Sequence, residues 1–94
     1  MLFRSVICDH EASQSSTLIE VQACDEPGLV YKIARTMADL GLDIVCARIA
    51  TEKSDALDVF YVTDGDGTKL SEEQMRKVED ALIHELKPEN RGEN

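Results

Sequence analysis

Residues 17–41, TLIEVQACDEPGLVYKIARTMADLG, decide the fold of this chain. The segment Thr17–Cys24 alternates its side chains with the period of a half-buried strand. The segment Leu29–Leu40 repeats its apolar residues with the period of a helix, and Gly41 follows as a natural helix stop. The four residues between them, Asp25–Gly28, are typical of a turn. The order predicts a strand that passes through a tight turn directly into a helix.

This turn is a candidate site for a small molecule, since it needs no catalytic side chains to hold one. Pro27 suits the entry into a helix, and Gly28 has no Cβ, so a ligand can approach the backbone. The first N–H groups of the new helix, on Leu29 and Val30, favour an anion such as a carboxylate. Asp25 could hold an ammonium group beside it. An ordinary turn explains the same four residues equally well.

The remaining sequence predicts three more strands and a second helix. Gln74 stands three residues after Ser71, which is the spacing of a capping box. The predicted strands are Phe3–Asp9, Leu42–Thr51 and Ala56–Thr63, and the predicted helix runs from Ser71 to Pro88. The order ββαββα indicates an α+β fold, with two helices on one face of a four-stranded antiparallel sheet. We expect one domain over residues 1–94, with a core at 17–87, an edge strand at 3–9 and a tail at 88–94.

Length and charge exclude several classes of function. A chain of 94 residues forms one small domain, and its net charge of −9 makes nucleic acid and anionic membranes unfavourable partners. No apolar run reaches the roughly 18 residues of a spanning helix. The N-terminus is a poor signal peptide because acidic residues follow its short apolar start. We expect a cytoplasmic protein.

The chain shows no pattern of a metal centre or a catalytic set. Its three cysteines, Cys8, Cys24 and Cys46, match no zinc spacing, and we interpret them as small buried hydrophobes in a reducing compartment. The stretch 64–68, DGDGT, resembles part of a calcium loop, but Val62 would stand at the first ligand position. We therefore interpret it as an acidic turn. No Ser/His/Asp set or phosphate loop is present, so we expect no catalytic residues, no metal and no cofactor.

The segment Ala56–Thr63 is apolar on both of its faces. Phe60 and Val62 point to one side of the strand, and Leu57, Val59 and Tyr61 point to the other. Two helices can cover only one face of the sheet, so the second face needs another cover. A second copy of the same chain is the simplest cover, and we expect a homodimer or a higher assembly.

With these residues in place, the chain resembles the ACT domain family, small regulatory modules that often bind amino acids at subunit interfaces. The resemblance is carried by residues 20–51, EVQACDEPGLVYKIARTMADLGLDIVCARIAT, and 58–64, DVFYVTD. Together with residues 9–13, DHEAS, it is nearest to the C-terminal ACT domains of bifunctional uridylyltransferase/uridylyl-removing enzymes, which modify the nitrogen-regulatory PII protein. The resemblance implies a ferredoxin-like ACT sandwich. It also implies that Phe3–Asp9 fills the sheet edge beside Thr17–Cys24.

The resemblance implies a regulatory module rather than an enzyme. Such a module would sense glutamine or a related amino acid and control an enzyme of nitrogen metabolism. A second copy or a second ACT domain would complete the pocket. The implied ligand-binding residues are those of the turn, the helix start and the start of the following strand: Asp25, Glu26, Pro27, Gly28, Leu29, Val30, Asp43, Ile44 and Val45.

A ligand-free module for dimerisation or protein interaction is the alternative function. Many ligand-binding ACT domains have Asn at the position of Asp43, and the nearest group commonly has a basic residue at the position of Glu26. The carboxylates present here suit an ammonium group but repel a ligand carboxylate. The sequence leaves both functions open.

Overall fold

The computed structural model describes residues 3–86, with side chains from Ser5 onward, so the predicted tail 88–94 lies outside the described residues. The elements follow in the predicted ββαββα order. They are β1 (Phe3–Asp9), β2 (Thr17–Cys24), α1 (Leu29–Asp39), β3 (Asp43–Glu52), β4 (Asp55–Thr63) and α2 (Glu72–Leu86). The predicted α+β fold is confirmed.

The four strands form one sheet in the order β1-β2-β4-β3, and every neighbouring pair is antiparallel. The two long central strands pair without interruption from Thr17 opposite Val62 to Cys24 opposite Asp55. The first strand, β1, lies at the edge beside β2, as predicted. The loop from His10 to Ser16 is long enough to reverse the chain between these two strands.

One face of the sheet packs against both helices and forms the core. On β2 the inward residues are Ile19, Val21 and Ala23, each with no more than 3% of its surface exposed. They face an apolar stripe on each helix, because helical spacing of three and four residues brings those side chains to one side. The helical members of the core are Leu29, Ile33, Met37, Val78, Leu82 and Leu86, and Phe60 and Val62 of β4 complete it.

Local signals in the sequence account for the helix ends. The residue before α1, Gly28, has a left-handed backbone with φ of 82°. After α1, Gly41 is also left-handed, and its N–H donates to the Ala38 carbonyl at 2.9 Å. The capping box of α2 is present: Gln74 N donates to Ser71 Oγ at 3.1 Å, and Ser71 N donates to Gln74 Oε1 at 2.9 Å.

The other edge strand, β3, is exposed along all ten of its residues. Its apolar side chains include Ile44 (38% exposed), Val45 (64%) and Ile49 (50%). The expectation that all three cysteines are buried is therefore wrong: Cys46 is exposed, while Cys8 and Cys24 are half-buried. The physical reason is that Cys46 belongs to the uncovered strand.

The sheet face opposite the helices carries the second apolar side of β4. Leu57 is 40% exposed there, and Val59 and Tyr61 are partly buried. Across β2 and β1, Leu18 and Ile7 extend the same surface because their register places them on that face. This surface is the one for which the sequence predicts a second copy as cover, and that assembly stays a prediction.

Candidate functional site

The turn at residues 25–28 is fixed between two elements. At its start, Asp25 N donates to the Ser54 carbonyl at 2.8 Å, which ties the turn to the hairpin between β3 and β4. At its end, Gly28 adopts the left-handed conformation, and a Cβ built on it meets no atom within 4 Å. The space above Gly28 is therefore open, as a site that admits a ligand backbone requires.

The helix start beside this turn carries no side-chain cap. Leu29 N donates to the Glu26 carbonyl at 3.2 Å, so this N–H, which the sequence assigns to a ligand carboxylate, already has a partner within the turn. The next carbonyl, on Gly28, accepts from Lys32 N at 2.9 Å. Val30 N is thus the better placed of the two predicted donors. The Val30 residue is 39% exposed, beside the turn at residues 25–28.

The charges at the turn are partly balanced within the chain. Lys32 Nζ lies 3.7 Å from Glu26 Oε2, with both side chains about three-tenths exposed. This contact lessens the repulsion that Glu26 would exert on a ligand carboxylate, although exposure weakens the pair. Asp25 is exposed and carries the remaining negative charge of the turn.

The second predicted half of the site lies at the other end of the sheet. Asp43 pairs with Thr63 at the start of β3, whereas Glu52 pairs with Asp55 beside the hairpin that holds the turn. Nine residues separate Asp43 from Glu52, which is about 30 Å along a strand. Ile44 follows Asp43 on β3, and a register irregularity at Val45 comes next. A single chain therefore does not bring Asp43, Ile44 and Val45 near the turn.

One buried carboxylate was not singled out from the sequence. Asp58 lies in the middle of β4 with 0% of its surface exposed. Among residues 3–86, neither of its carboxylate oxygens has a partner in hydrogen-bond geometry. Burial raises the pKa of Asp58, and the charge of Asp25 raises it further; the nearby backbone N–H of Ala50 partly opposes both effects, although it falls outside hydrogen-bond geometry. The signal in the sequence is an Asp at an inward position of an otherwise apolar strand face.

A groove of about 870 Å³ between the two helices was also missed. It opens to solvent beside Gly28 and carries charges of both signs. Tyr31 is 67% exposed there, and Arg35 Nη1 donates to the Tyr31 hydroxyl at 3.2 Å. The groove is lined by Pro27, Gly28, Tyr31, Lys32, Arg35, Thr36, Asp39, Leu40, Asp80, Ala81, His84 and Glu85.

The acidic stretch after β4 folds as a turn that satisfies its own carboxylate. Asp64 Oδ1 accepts from Asp66 N at 2.8 Å and from Thr68 N at 3.0 Å, and Thr68 Oγ1 donates to Asp64 Oδ2 at 2.6 Å. These bonds lower the pKa of Asp64, the Thr68 hydroxyl contributing most. Within residues 3–86, no three His, Cys, Asp or Glu side chains are grouped as metal ligands. In the same range no helix is long and apolar enough to cross a membrane.

Comparison with known proteins gives a consistent family assignment. Residues 5–91 match the family model described as "ACR9-like, ACT-like domain". The chain is 42% identical over 83 residues to the bifunctional uridylyltransferase/uridylyl-removing enzyme of Phenylobacterium zucineum (strain HLK1), covering 87% of this chain and 9% of that protein. The enzyme of the same name from Azospirillum brasilense is 40% identical over 82 residues, which cover 86% of this chain and 9% of the relative.

A third relative with the same name, from Vibrio campbellii (strain ATCC BAA-1116), is 43% identical over 74 residues, or 79% of this chain and 8% of that enzyme. The chain thus spans less than a tenth of the length of these relatives. The similarity covers the strands, the turn and both helices rather than one motif. The chain belongs to the family of ACT-like domains.

Proposed function

We propose that this chain is a regulatory module that senses glutamine or a related amino acid. The enzyme it controls would belong to nitrogen metabolism, such as a uridylyltransferase that modifies the PII protein. The support is the similarity to a short segment of bifunctional uridylyltransferase/uridylyl-removing enzymes, together with the open turn at Gly28. The chain itself has no proposed catalytic role, and its cytoplasmic location stays a prediction.

The observation that supports the proposal is that the turn at residues 25–28 and the Asp43 start of β3 lie at opposite ends of this strand. This strand is an exposed edge, with unpaired backbone groups along its outer side. If two copies pair their β3 strands antiparallel about a two-fold axis, the Asp43 end of one copy lies beside the Glu52 end of the other. In the joined sheet, the order β2-β4-β3 of one copy continues into β3 of the other copy. Asp25 of the first copy and Asp43 of the second would then lie three strand spacings, or about 15 Å, apart. An amino acid and two side chains can span that distance.

In this assembly each pocket takes its parts from both copies. The turn of one copy supplies Asp25 for the ammonium group and Val30 N for the carboxylate. The other copy supplies Asp43 with Ile44 and Val45. The pairing also covers the exposed apolar side chains of β3, which a monomer leaves in water. Ligand binding would then favour one arrangement of the interface, and regulation would follow from that preference.

The alternative is a ligand-free module for dimerisation, and one observation favours it. The exposed edge of β3 is sufficient to pair two copies, whether or not a ligand binds. The carboxylates of Glu26 and Asp43 also disfavour the carboxylate of an amino acid, although Lys32 offsets the former in part.

Isothermal titration calorimetry of the folded chain against the common amino acids tests the proposal. We expect glutamine or a related amino acid to bind, and the Asp25→Ala variant to bind about 10- to 150-fold more weakly, the range for a hydrogen bond to a charged group. Absence of binding by every amino acid at millimolar concentration, with the dimer intact, would support the ligand-free alternative.

The chain offers a matched pair of glycines that locates the pocket. Gly28 and Gly67 have nearly equal φ values, 82° and 85°, and a Cβ on either one meets no atom within 4 Å. Gly28→Ala and Gly67→Ala therefore impose similar backbone strain. Only Gly28→Ala should abolish amino-acid binding, because only its methyl group enters the proposed ligand space. Equal affinities in the two variants would contradict the placement at the turn.

A further inference from the structure

The β3 strands of two copies can pair in only a few registers. An antiparallel pair of identical strands has its two-fold axis perpendicular to the sheet, so one residue stands opposite its own copy. Residues directly opposite each other also have their side chains on the same face. Each register is therefore defined by the residue on the axis. Near the middle of β3 the candidates are Ala47, Arg48 and Ile49.

The irregularity at Val45 favours the register with Ile49 on the axis. From Cys46 to Glu52, β3 pairs with β4 residue by residue, whereas the pairing shifts between Ile44 and Cys46. Such an irregularity disrupts the hydrogen-bond ladder of its strand. With Ile49 on the axis, the whole regular segment from Cys46 to Glu52 pairs with the same segment of the other copy. With Ala47 on the axis, only this residue and its two neighbours pair before the irregularity is reached.

Charge also distinguishes the registers. Arg48 and Glu52 lie on the face of β3 opposite the helices, because their partners on β4 alternate with its buried row. With Arg48 on the axis, two guanidinium groups would stand directly opposite each other, which is unfavourable. With Ile49 on the axis, Arg48 is diagonal to Glu52 of the other copy, at about 7–8 Å, which long side chains can reach. The two arginines are then flanked by the two glutamates.

On the helix side, the same register brings two exposed apolar side chains together. Ile49 is 50% exposed because the helices leave β3 uncovered, although its partner on β4, Asp58, is fully buried. With Ile49 on the axis, this side chain packs against its own copy, and Ala47 lies opposite Thr51 of the other copy. Removal of both isoleucines from water favours the pair.

The position of Asp25 along the strands follows from the register of the sheet. Cys24 and Glu52 lie level with each other because both pair with Asp55. Asp25 follows Cys24, so it lies one residue beyond that level. The bond from Asp25 N to the Ser54 carbonyl, at 2.8 Å, keeps it there beside the hairpin.

The position of Asp43 in the other copy depends on the residue on the axis. With Ile49 on the axis, Cys46 of the other copy lies opposite Glu52, and Asp43 lies two levels further because the irregularity takes up one residue. Asp43 and Asp25 then differ by one level, about 3.4 Å along the strands. With Ala47 on the axis they would differ by three levels, about 10 Å.

We propose that β3 pairs with β3 of a second copy in the register that places Ile49 on the two-fold axis. This inference rests on the proposed function and specifies which residues of the two copies meet. A change of register moves the other copy by two residues, about 7 Å, because a step of one residue would put facing side chains on opposite faces. The register therefore decides whether the turn of one copy and Asp43 of the other form one pocket.

Cysteine cross-linking of the full chain tests the register. Every variant carries Cys46→Ser, and one new cysteine is added on β3. Ile49→Cys is the test and Ala47→Cys is the matched control, since both positions lie on the same face of the exposed strand. A disulfide needs Cα atoms about 4.4–6.8 Å apart, as in directly opposite residues. In the proposed register the two Ala47→Cys sites are four levels, about 13 Å, apart.

After oxidation with copper phenanthroline, Ile49→Cys should form a covalent dimer on a non-reducing gel. Ala47→Cys, Arg48→Cys and the Cys46→Ser background should stay as single chains. The background also reports any link through the remaining cysteines, Cys8 and Cys24. A cross-link at Ala47→Cys or Arg48→Cys as fast as at Ile49→Cys, or none at any of the three, would overturn the register.

A charge exchange tests the same register without a new cysteine. Within one chain Arg48 and Glu52 are four residues, about 13 Å, apart, so a close pair between them forms only between copies. Arg48→Glu and Glu52→Arg should each weaken dimerisation about 3- to 10-fold, the range for two exposed ion pairs. The double variant should recover the affinity of the wild type in sedimentation velocity. A double variant weaker than either single variant would contradict the register.

These outcomes do not depend on ligand binding. If the cross-links report the Ile49 register but no amino acid binds in calorimetry, the proposed sensing fails and the register stands. If glutamine binds but the cross-links report another register, this inference fails and the proposed sensing stands.

Discussion

The two edges of the sheet are built differently. On β1, Val6 is buried with 7% exposure, Cys8 is half-buried, and α2 packs against the strand. Lys69 Nζ also donates to the His10 carbonyl at 2.7 Å, just beyond the end of β1. On β3 every side chain is exposed, including Val45. One edge is covered by the chain itself, and the other is left open.

The difference indicates what each edge is for. A long apolar edge strand that nothing covers pairs readily with another strand, so folded proteins usually shorten, charge or cover such an edge. The chain covers β1 with α2 but leaves the ten residues of β3 available. We infer that β1 contributes mainly to the stability of the domain, and that β3 contributes mainly to assembly. The following experiments separate the two contributions.

The largest effect should come from a charge placed inside the covered edge. Val6→Asp would bury a carboxylate without a partner, which costs about 3–5 kcal/mol of a total stability of about 5–15 kcal/mol. Ile7→Asp on the same strand is the control, because Ile7 is 50% exposed and its replacement keeps water around the charge. The free energy of unfolding, from urea denaturation followed by circular dichroism, should fall strongly only for Val6→Asp. Equal losses would show that β1 is not covered as described.

The cysteines on the two edges should differ in reactivity, with Cys8 the slower to react. Burial raises the pKa of the Cys8 thiol from 9.0 to about 11, with a smaller contribution from Glu79. Since the thiolate is the reactive form, this rise in pKa lowers the thiolate fraction of Cys8 at pH 8 by about 100-fold relative to a thiol with the ordinary value. Cys46 is exposed on β3. Iodoacetamide labelling followed by peptide mass spectrometry should therefore modify Cys46 first.

The same thiol links stability to pH. The unfolded Cys8 loses its proton near its ordinary pKa of 9.0, while the folded Cys8 keeps it to about 11. The unfolded state therefore binds fewer protons between these values, and the free energy of unfolding should decrease as the pH rises through this window. Cys8→Ala should reduce that decrease. Labelling of Cys8 as fast as that of Cys46 would contradict both expectations.

Assembly should respond to the opposite edge. Ile49 on β3 and Ile7 on β1 are both 50% exposed, so a lysine at either place removes a similar exposed apolar surface and adds the same charge. Ile49→Lys should weaken dimerisation by about 10-fold or more, because the charge would be placed in the proposed interface. Ile7→Lys should leave a dimer that pairs through β3 intact, whereas loss of the dimer in Ile7→Lys would place the interface on the sheet face opposite the helices, to which Ile7 belongs. Sedimentation velocity at micromolar concentration distinguishes the two, and a monomeric wild type would disprove the assembly.

The fold could be predicted from the sequence because each element carries its own signal. The alternation over Thr17–Cys24, the stop at Gly41 and the capping box at Ser71 are local features that the structure repeats. The place of β1 beside β2 was also predicted, through the family resemblance. The three local predictions needed no knowledge of distant contacts, whereas the place of β1 needed the resemblance.

The site could be predicted only in part, because its remaining features depend on the third dimension. The family resemblance implies one pocket for Asp25 and Asp43, but within one chain the length of β3 puts about 30 Å between its Asp43 end and the Glu52 end beside the turn. The exposure of Cys46 depends on which strand the helices leave uncovered. Asp58 lies in an apolar row of the sequence, yet only the structure shows that its side chain is fully buried.

The smallest effect concerns the helix that covers β1. Ser71→Ala removes the hydroxyl that accepts from Gln74 N at 3.1 Å, and loss of such a cap costs about 1 kcal/mol. The start of α2 should then open more often, and β1, against which α2 packs, should lose protection with it. Hydrogen exchange read by mass spectrometry should show faster exchange in β1 and α2, with β3 unchanged. Ser15→Ala, on the exposed loop before β2, is the control and should change neither edge. A uniform increase across both edges would mean that the domain opens as a single unit and that α2 gives β1 no separate protection.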